Sequence, residues 1–127
     1  KHSNSQIIYH GFTDDPLKKI AESEIFILPS YIEGLSLSLI DATMLGKAII
    51  TTNIDGNPEV VEDQKNGLLI PAKGSNALAE AIEKLLSNSE LVKEFSHQSR
   101  LKYLHEFDYE KTIREKLIPL LNRKRSN

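Results

Sequence analysis

The chain has 127 residues, 39% of them hydrophobic, which suits one domain with one core. Its formal charge of −2 excludes a global drive toward nucleic acid or an anionic membrane, and its lack of cysteine excludes disulfides and thiolate metal sites. No apolar run reaches membrane-spanning length, no signal peptide is visible, and there is no internal repeat or low-complexity tract.

Residues 7–9 (Ile-Ile-Tyr) read as a short strand stopped by Gly11. Thr13-Asp14-Asp15-Pro16 is a helix-start signal, an acidic cap followed by Pro at the first position. That helix is expected to run to about Ser23. The adjacent Asp14 and Asp15 fit capping better than a metal site. Residues 25–28 (Ile-Phe-Ile-Leu) are continuously apolar, as in a strand buried on both faces of a parallel sheet. Pro29 ends it, and a polar loop leads into a helical pattern from near Leu35 to Gly46. A second apolar run, residues 48–50, follows.

Residues 54–58 then read as a turn and 58–61 as a short helix. Asn66-Gly67 turns the chain into a strand at 68–70, and residues 71–74 form a loop. Ser75 caps a helix whose apolar stripe is Leu78, Ile82, Leu85 and Leu86. Ser87 or Ser89 opens another, carrying Leu91, Phe95, Leu101 and Leu104. His97 and His105 lie on it without partner ligands nearby, which favours a structural or surface role over metal binding. Asp108 caps a last helix with stripe Ile113, Leu117, Leu120 and Leu121, bent at Pro119. The basic tail Arg123-Lys124-Arg125 is expected in solvent, with at most a weak contact to an anionic membrane surface.

The alternation of strands and helices predicts an α/β fold, a parallel sheet of about four strands flanked by helices. In a strand–loop–helix–strand unit, ligands bind in the loop at the carboxyl end of the strand. The loop before the helix at Leu35 therefore draws interest. A helix N-terminus suits an anion, and Gly34 admits a ligand close to the backbone. Glu33 precedes that positive end, and Asp41 lies about two turns further along the helix. The two carboxylates could accept hydrogen bonds from two sugar hydroxyls. On spacing alone, Glu33 as a cap and Asp41 as a solvated helix residue is the favoured reading.

The stretch from Pro29 to Glu59 resembles the C-terminal domain of the group-1 retaining glycosyltransferases of GT-B fold. Pro29-Ser30, Glu33-Gly34, Ala42, Met44 and Gly46 match that family's pattern. So do Thr51-Thr52, Gly56, Pro58-Glu59-Val60-Val61 and Asn66-Gly67-Leu68-Leu69-Ile70-Pro71, and earlier His10-Gly11-Phe12. Many positions at fixed spacing over most of the chain make the signal specific. Three departures stand out. Asp41 replaces a Glu and is one methylene shorter, Leu35-Ser36 replace Phe-Gly, and Ala48 replaces a Pro.

The resemblance implies a Rossmann-like sheet of order 3-2-1-4-5-6, with this chain aligned from the third strand onward. Residues 1–127 would then be part of a nucleotide-sugar-binding C-terminal domain, without its first strand–helix units and without the N-terminal acceptor domain, its partner. It implies transfer of a sugar from a nucleotide diphosphate sugar to an acceptor, with no metal, no cofactor and no general base, the leaving diphosphate assisting the attack. Glu33 is the implied catalytic residue, holding hydroxyls of the transferred sugar. Gly34, Leu35 and Ser36 would offer N–H groups to the donor, Asp41 would bind its ribose, and Gly11, Phe12 and Thr13 would lie beside its base. A cytoplasmic enzyme follows, at most peripheral at the inner membrane. The chain alone is expected to be inactive and to bind donor weakly. Its first strand, residues 7–9, is expected to pair with residues 25–28, with a homodimer through the exposed sheet edge. Two alternatives stay open: a non-catalytic nucleotide-sugar-binding or interaction module, and a GT-B epimerase or phosphorylase, though no lysine motif supports the latter.

Overall fold

The computed structural model describes residues 7–30 and 36–125. Three helices and three strands alternate first: α1 (Pro16–Glu22), β1 (Ile25–Leu28), α2 (Leu37–Met44), β2 (Ala48–Thr52), α3 (Asn57–Val60) and β3 (Gly67–Ile70). The long helices α4 (Ser75–Leu86) and α5 (Ser89–Lys102) follow. Wide π-type turns at Tyr103–Phe107 and Ile113–Leu117 then separate α5 from α6 (Tyr109–Thr112) and α6 from α7 (Ile118–Arg125).

The strands are parallel and lie in the order β1-β2-β3. Leu28 pairs with Thr51, and Thr52 with Ile70, so the three carboxyl ends lie together. All five residues of the central strand β2 are buried. Successive side chains of a strand point to opposite faces. Ile49 therefore joins Ile20, Leu39, Ile40, Ala42, Val60 and Val61 under α1, α2 and α3. Ala48 and Ile50 join Leu68, Ile70, Ala81, Leu85 and Phe95 under α4 and α5. A fully buried side chain of this size contributes about 1.5–3 kcal/mol, so helices on both faces are what stabilise the sheet.

Local chemistry sets the helix ends. The Asp15 carboxylate accepts from Lys18 N at 3.2 Å, and Pro16 is the first helical residue, as expected. The α2 cap is Ser36, whose Oγ accepts from Leu39 N at 3.3 Å. At its other end Gly46 takes φ +68°, while Lys47 N and Gly46 N donate to Ala42 O and Thr43 O, a Schellman closure. Pro119 lies just past the π-type turn at Ile113–Leu117, which widens the helix where its ring would crowd a carbonyl one turn back.

Several expectations need correction. Among the described residues the sheet has three strands, close to the four expected, but residues 7–9 form no strand and Ile7, Ile8 and Tyr9 are exposed. The anticipated pairing with residues 25–28 is absent, and β1 pairs with β2 alone among the described residues. With one neighbour, β1 is only partly buried rather than covered on both faces. In α4, Ala81 faces the core and Leu86 stands 74% exposed, since Leu85 and Leu86 are about 100° apart and Leu85 takes the inner position. Gly74, rather than Ser75, is the N-cap of α4, while α5 opens at Ser89 as expected, with Asn88 as its cap. The C-terminal stripe Ile113, Leu117, Leu120 and Leu121 is exposed.

Candidate functional site

Two ends of the sheet carry polar networks. At the amino end α5 passes under the strands, with Ser99 Oγ donating to Lys47 O at 2.6 Å and Arg100 Nη1 to Met44 O at 2.6 Å. Asn66 is buried there and both polar atoms of its amide are bonded: Oδ1 accepts from Glu62 N at 2.7 Å, and Nδ2 donates to Val60 O at 3.1 Å.

The carboxyl end is the side where open parallel sheets bind ligands. β1 stops at Leu28 because Pro29 has no N–H to continue the ladder. Side chains of β2 take over. Thr51 Oγ1 donates to Leu28 O at 2.8 Å, and Thr52 Oγ1 to Ser30 O at 2.7 Å. Asn57, fully buried at the start of α3, donates from Nδ2 to Thr52 O at 3.0 Å, with the two threonine hydroxyls 3.2 and 3.3 Å away. Its Oδ1 is buried without a hydrogen-bond partner.

Of the sequence-derived candidates, Glu33, Gly34 and Leu35 lie outside the described residues. Ser36 is buried, and its hydroxyl is committed to the cap of α2. Asp41 is partly buried in α2, and burial raises its pKa above the ordinary aspartate value of 3.8. Its carboxylate has no hydrogen bond or ion pair among the described residues. Gly11, Phe12 and Thr13 do not join this network. Gly11 turns the chain at φ +68°, Phe12 stands 95% exposed, and Thr13 Oγ1 accepts from Asp15 N at 3.2 Å. Sequence reasoning noted Thr51-Thr52 only as matched positions and missed Asn57. The threonine hydroxyls bond Leu28 O and Ser30 O, more than 20 residues away at the end of β1, so no local pattern marks them.

Two clefts, of about 330 and 440 Å³, open instead at the amino end, one beside Asn66 and Lys102, the other beside Glu24 and Lys47. Position argues against either as the main site, since the strands' carboxyl ends point away from both. Among the described residues no three His, Asp or Glu side chains are grouped to hold a metal, and no helix is long and apolar enough to cross a membrane.

The family model described as Glycosyl transferases group 1 matches residues 1–102. Over 123 residues the chain is 29% identical to a poly(ribitol-phosphate) alpha-N-acetylglucosaminyltransferase of Staphylococcus aureus, covering 96% of this chain and 25% of that protein. Over 89 residues it is 32% identical to the N,N'-diacetylbacillosaminyl-diphospho-undecaprenol alpha-1,3-N-acetylgalactosaminyltransferase of Campylobacter jejuni, covering 70% and 24%. A crystal structure of a mutant of S. aureus TarM in complex with Fondaparinux, alpha-GlcNAc-glycerol and UDP superposes with TM-score 0.75 and 31% identity, over 89% of this chain and 23% of that one. HepE of Anabaena in complex with UDP shares the fold, with TM-score 0.79 at 22% identity, over 90% and 31%. The chain thus spans about a quarter of the length of the curated relatives it matches.

Proposed function

The chain belongs to the group 1 glycosyl transferases, and from that premise we propose that it is part of the donor-binding domain of a retaining enzyme. That enzyme moves a sugar from a nucleotide diphosphate sugar to an acceptor. One observation carries the reading. The stretch matching the family carries the parallel strands β1 and β2 with the helix α2 between them in the chain, and Thr51 and Thr52 bond Leu28 O and Ser30 O at the carboxyl end of β1.

In this reading Glu33 accepts hydrogen bonds from hydroxyls of the transferred sugar. Backbone N–H groups of Gly34, Leu35 and Ser36 face the diphosphate or the sugar, and Asp41 binds the ribose. Gly11, Phe12 and Thr13 flank the base. A carboxylate that is partly desolvated yet has no protein partner among the described residues is what a ribose-binding Asp41 requires. No side chain acts as general base, and the leaving diphosphate assists the attack. Catalysis then rests on positioning and on charge stabilisation. UDP is the nucleotide to test first, because the 31%-identical TarM structure holds it.

The outer edge of β1 has no strand partner among the described residues. There the first strand–helix units of a complete donor domain would pair, and an acceptor domain would close over the carboxyl ends. A second copy could use the same edge when it is free. The enzyme would be cytoplasmic and at most peripheral at the inner membrane, through the basic residues of its C-terminal helix.

Kinetics of Glu33→Ala in the complete enzyme test the reading. Turnover is expected to fall about a hundredfold or more, because contacts made in the transition state are lost. Near-normal turnover would remove the role given to Glu33.

A further inference from the structure

The two outer edges of the sheet are finished differently. Asn66 O and Ile70 O accept from Ile49 N and Asn53 N, at 3.4 and 2.8 Å, so alternate residues along β3 turn their backbone groups toward β2. Gly67 and Leu69 therefore turn theirs outward, where a further strand would pair.

Both positions are already engaged by the chain that leads into β3. Gln64 N donates to Gly67 O at 2.9 Å, and Leu69 N donates to Asp63 Oδ1 at 2.9 Å. Asp63 also forms a backbone bridge to Gly67 in the parallel sense. Two features hold this segment against the edge. Gln64 takes φ +67°, which turns the chain back into β3, and its Oε1 accepts from Lys84 Nζ of α4 at 3.1 Å. Asp63 itself is exposed, so its carboxylate serves the edge and no buried network. β1 has no such bridge among the described residues: it pairs with β2 alone, and Ile27 on it is 36% exposed.

Unpaired N–H and C=O groups on an edge strand are a template for another chain. A strand approaching β3 would have to take Leu69 N from a carboxylate, a stronger acceptor than a neutral carbonyl. It would also draw that carboxylate toward the new sheet without a partner, which is costly. We infer that Asp63 closes the outer edge of β3 to strand pairing with a second copy of the chain, so that the sheet is extended at β1 only. The inference does not depend on the donor-site reading.

The test compares the complete wild-type enzyme with Asp63→Ala and Asp63→Asn. Light scattering over a concentration series gives the mass, and hydrogen–deuterium exchange follows residues 67–70. Asp63→Ala frees Leu69 N. It is expected to form, as concentration rises, a species of about twice the wild-type mass, since two such edges meeting on a twofold axis pair and close. Exchange at residues 67–70 slows in that species. Tm in dilute solution stays within a few degrees of wild type, because the side chain removed is exposed. Asp63→Asn keeps an oxygen acceptor for Leu69 N and is expected to behave as wild type. Wild-type mass for Asp63→Ala at every concentration overturns the inference. So does an association that leaves exchange at residues 67–70 unchanged, or one equally strong in Asp63→Asn. If Asp63→Ala does not fold, wild type decides. Equal exchange at residues 67–70 in dilute and concentrated enzyme supports the closed edge, and slower exchange in the concentrated sample overturns it.

Discussion

Each end of this sheet has a buried asparagine, and the two are used differently. At the amino end both polar atoms of Asn66 are bonded, to Glu62 N and Val60 O, and its own carbonyl receives Ile49 N and Ser99 Oγ. At the carboxyl end Asn57 bonds through Nδ2 alone. Complete satisfaction is what stability alone selects, and incomplete satisfaction marks a place held for something else. The difference agrees with the proposal that the carboxyl end is where the donor binds.

The largest expected effect lies at the amino end. Gly67 opens β3 against β2, and a Cβ there would stand 2.1 Å from Ile49 O and 2.9 Å from Val61 Cγ1. Backbone at that distance cannot yield, so Gly67→Ala is expected to destabilise by more than about 4 kcal/mol. Urea unfolding measures it, and a loss under about 1 kcal/mol would mean that the strands there are not so closely apposed.

Next come the two asparagines. Asn66→Ala strands a buried C=O and a partly buried N–H, and should cost about 2 kcal/mol or more. Asn57→Ala strands none, removes the orphan Oδ1, and should cost less by about 1 kcal/mol or more. Thermal unfolding of the pair reads that gap directly. Equal losses would erase the contrast between the two ends.

The smallest effect concerns Asp41. Burial raises its folded-state pKa, so the folded chain binds the proton more tightly than the unfolded one. The group's favourable contribution is present below the ordinary value of 3.8 and lost as pH rises through the raised folded value. At neutral pH the ionised carboxylate therefore weakens the fold slightly. Asp41→Asn should leave Tm at pH 7 unchanged or a little higher, with the difference vanishing below pH 3.8, while nucleotide affinity falls. A clear drop in Tm at pH 7 would show that Asp41 has a structural partner.

Much of this arrangement was legible in the sequence where its cause is local. Asp15-Pro16 starts α1 and Asp108 caps α6 through contacts within four residues. The strand at Ile25–Leu28 and the core of β2 follow from continuous apolar runs. What escaped depends on distant partners. Residues 7–9 have the composition of a strand, but a strand needs a neighbour for its N–H and C=O groups, and composition does not supply one. The C-terminal stripe has helical spacing, yet spacing does not say what covers it. Thr51, Thr52 and Asn57 look like an ordinary strand end and turn until β1 is brought alongside.

Hydrogen–deuterium exchange of the complete enzyme with and without UDP bears most directly on the division between the two ends. Protection is expected in peptides spanning residues 29–41 and 51–57, and none in those spanning 62–67 and 96–100. Protection confined to the latter pair, around Asn66 and Ser99, would contradict a donor site at the carboxyl end of the sheet.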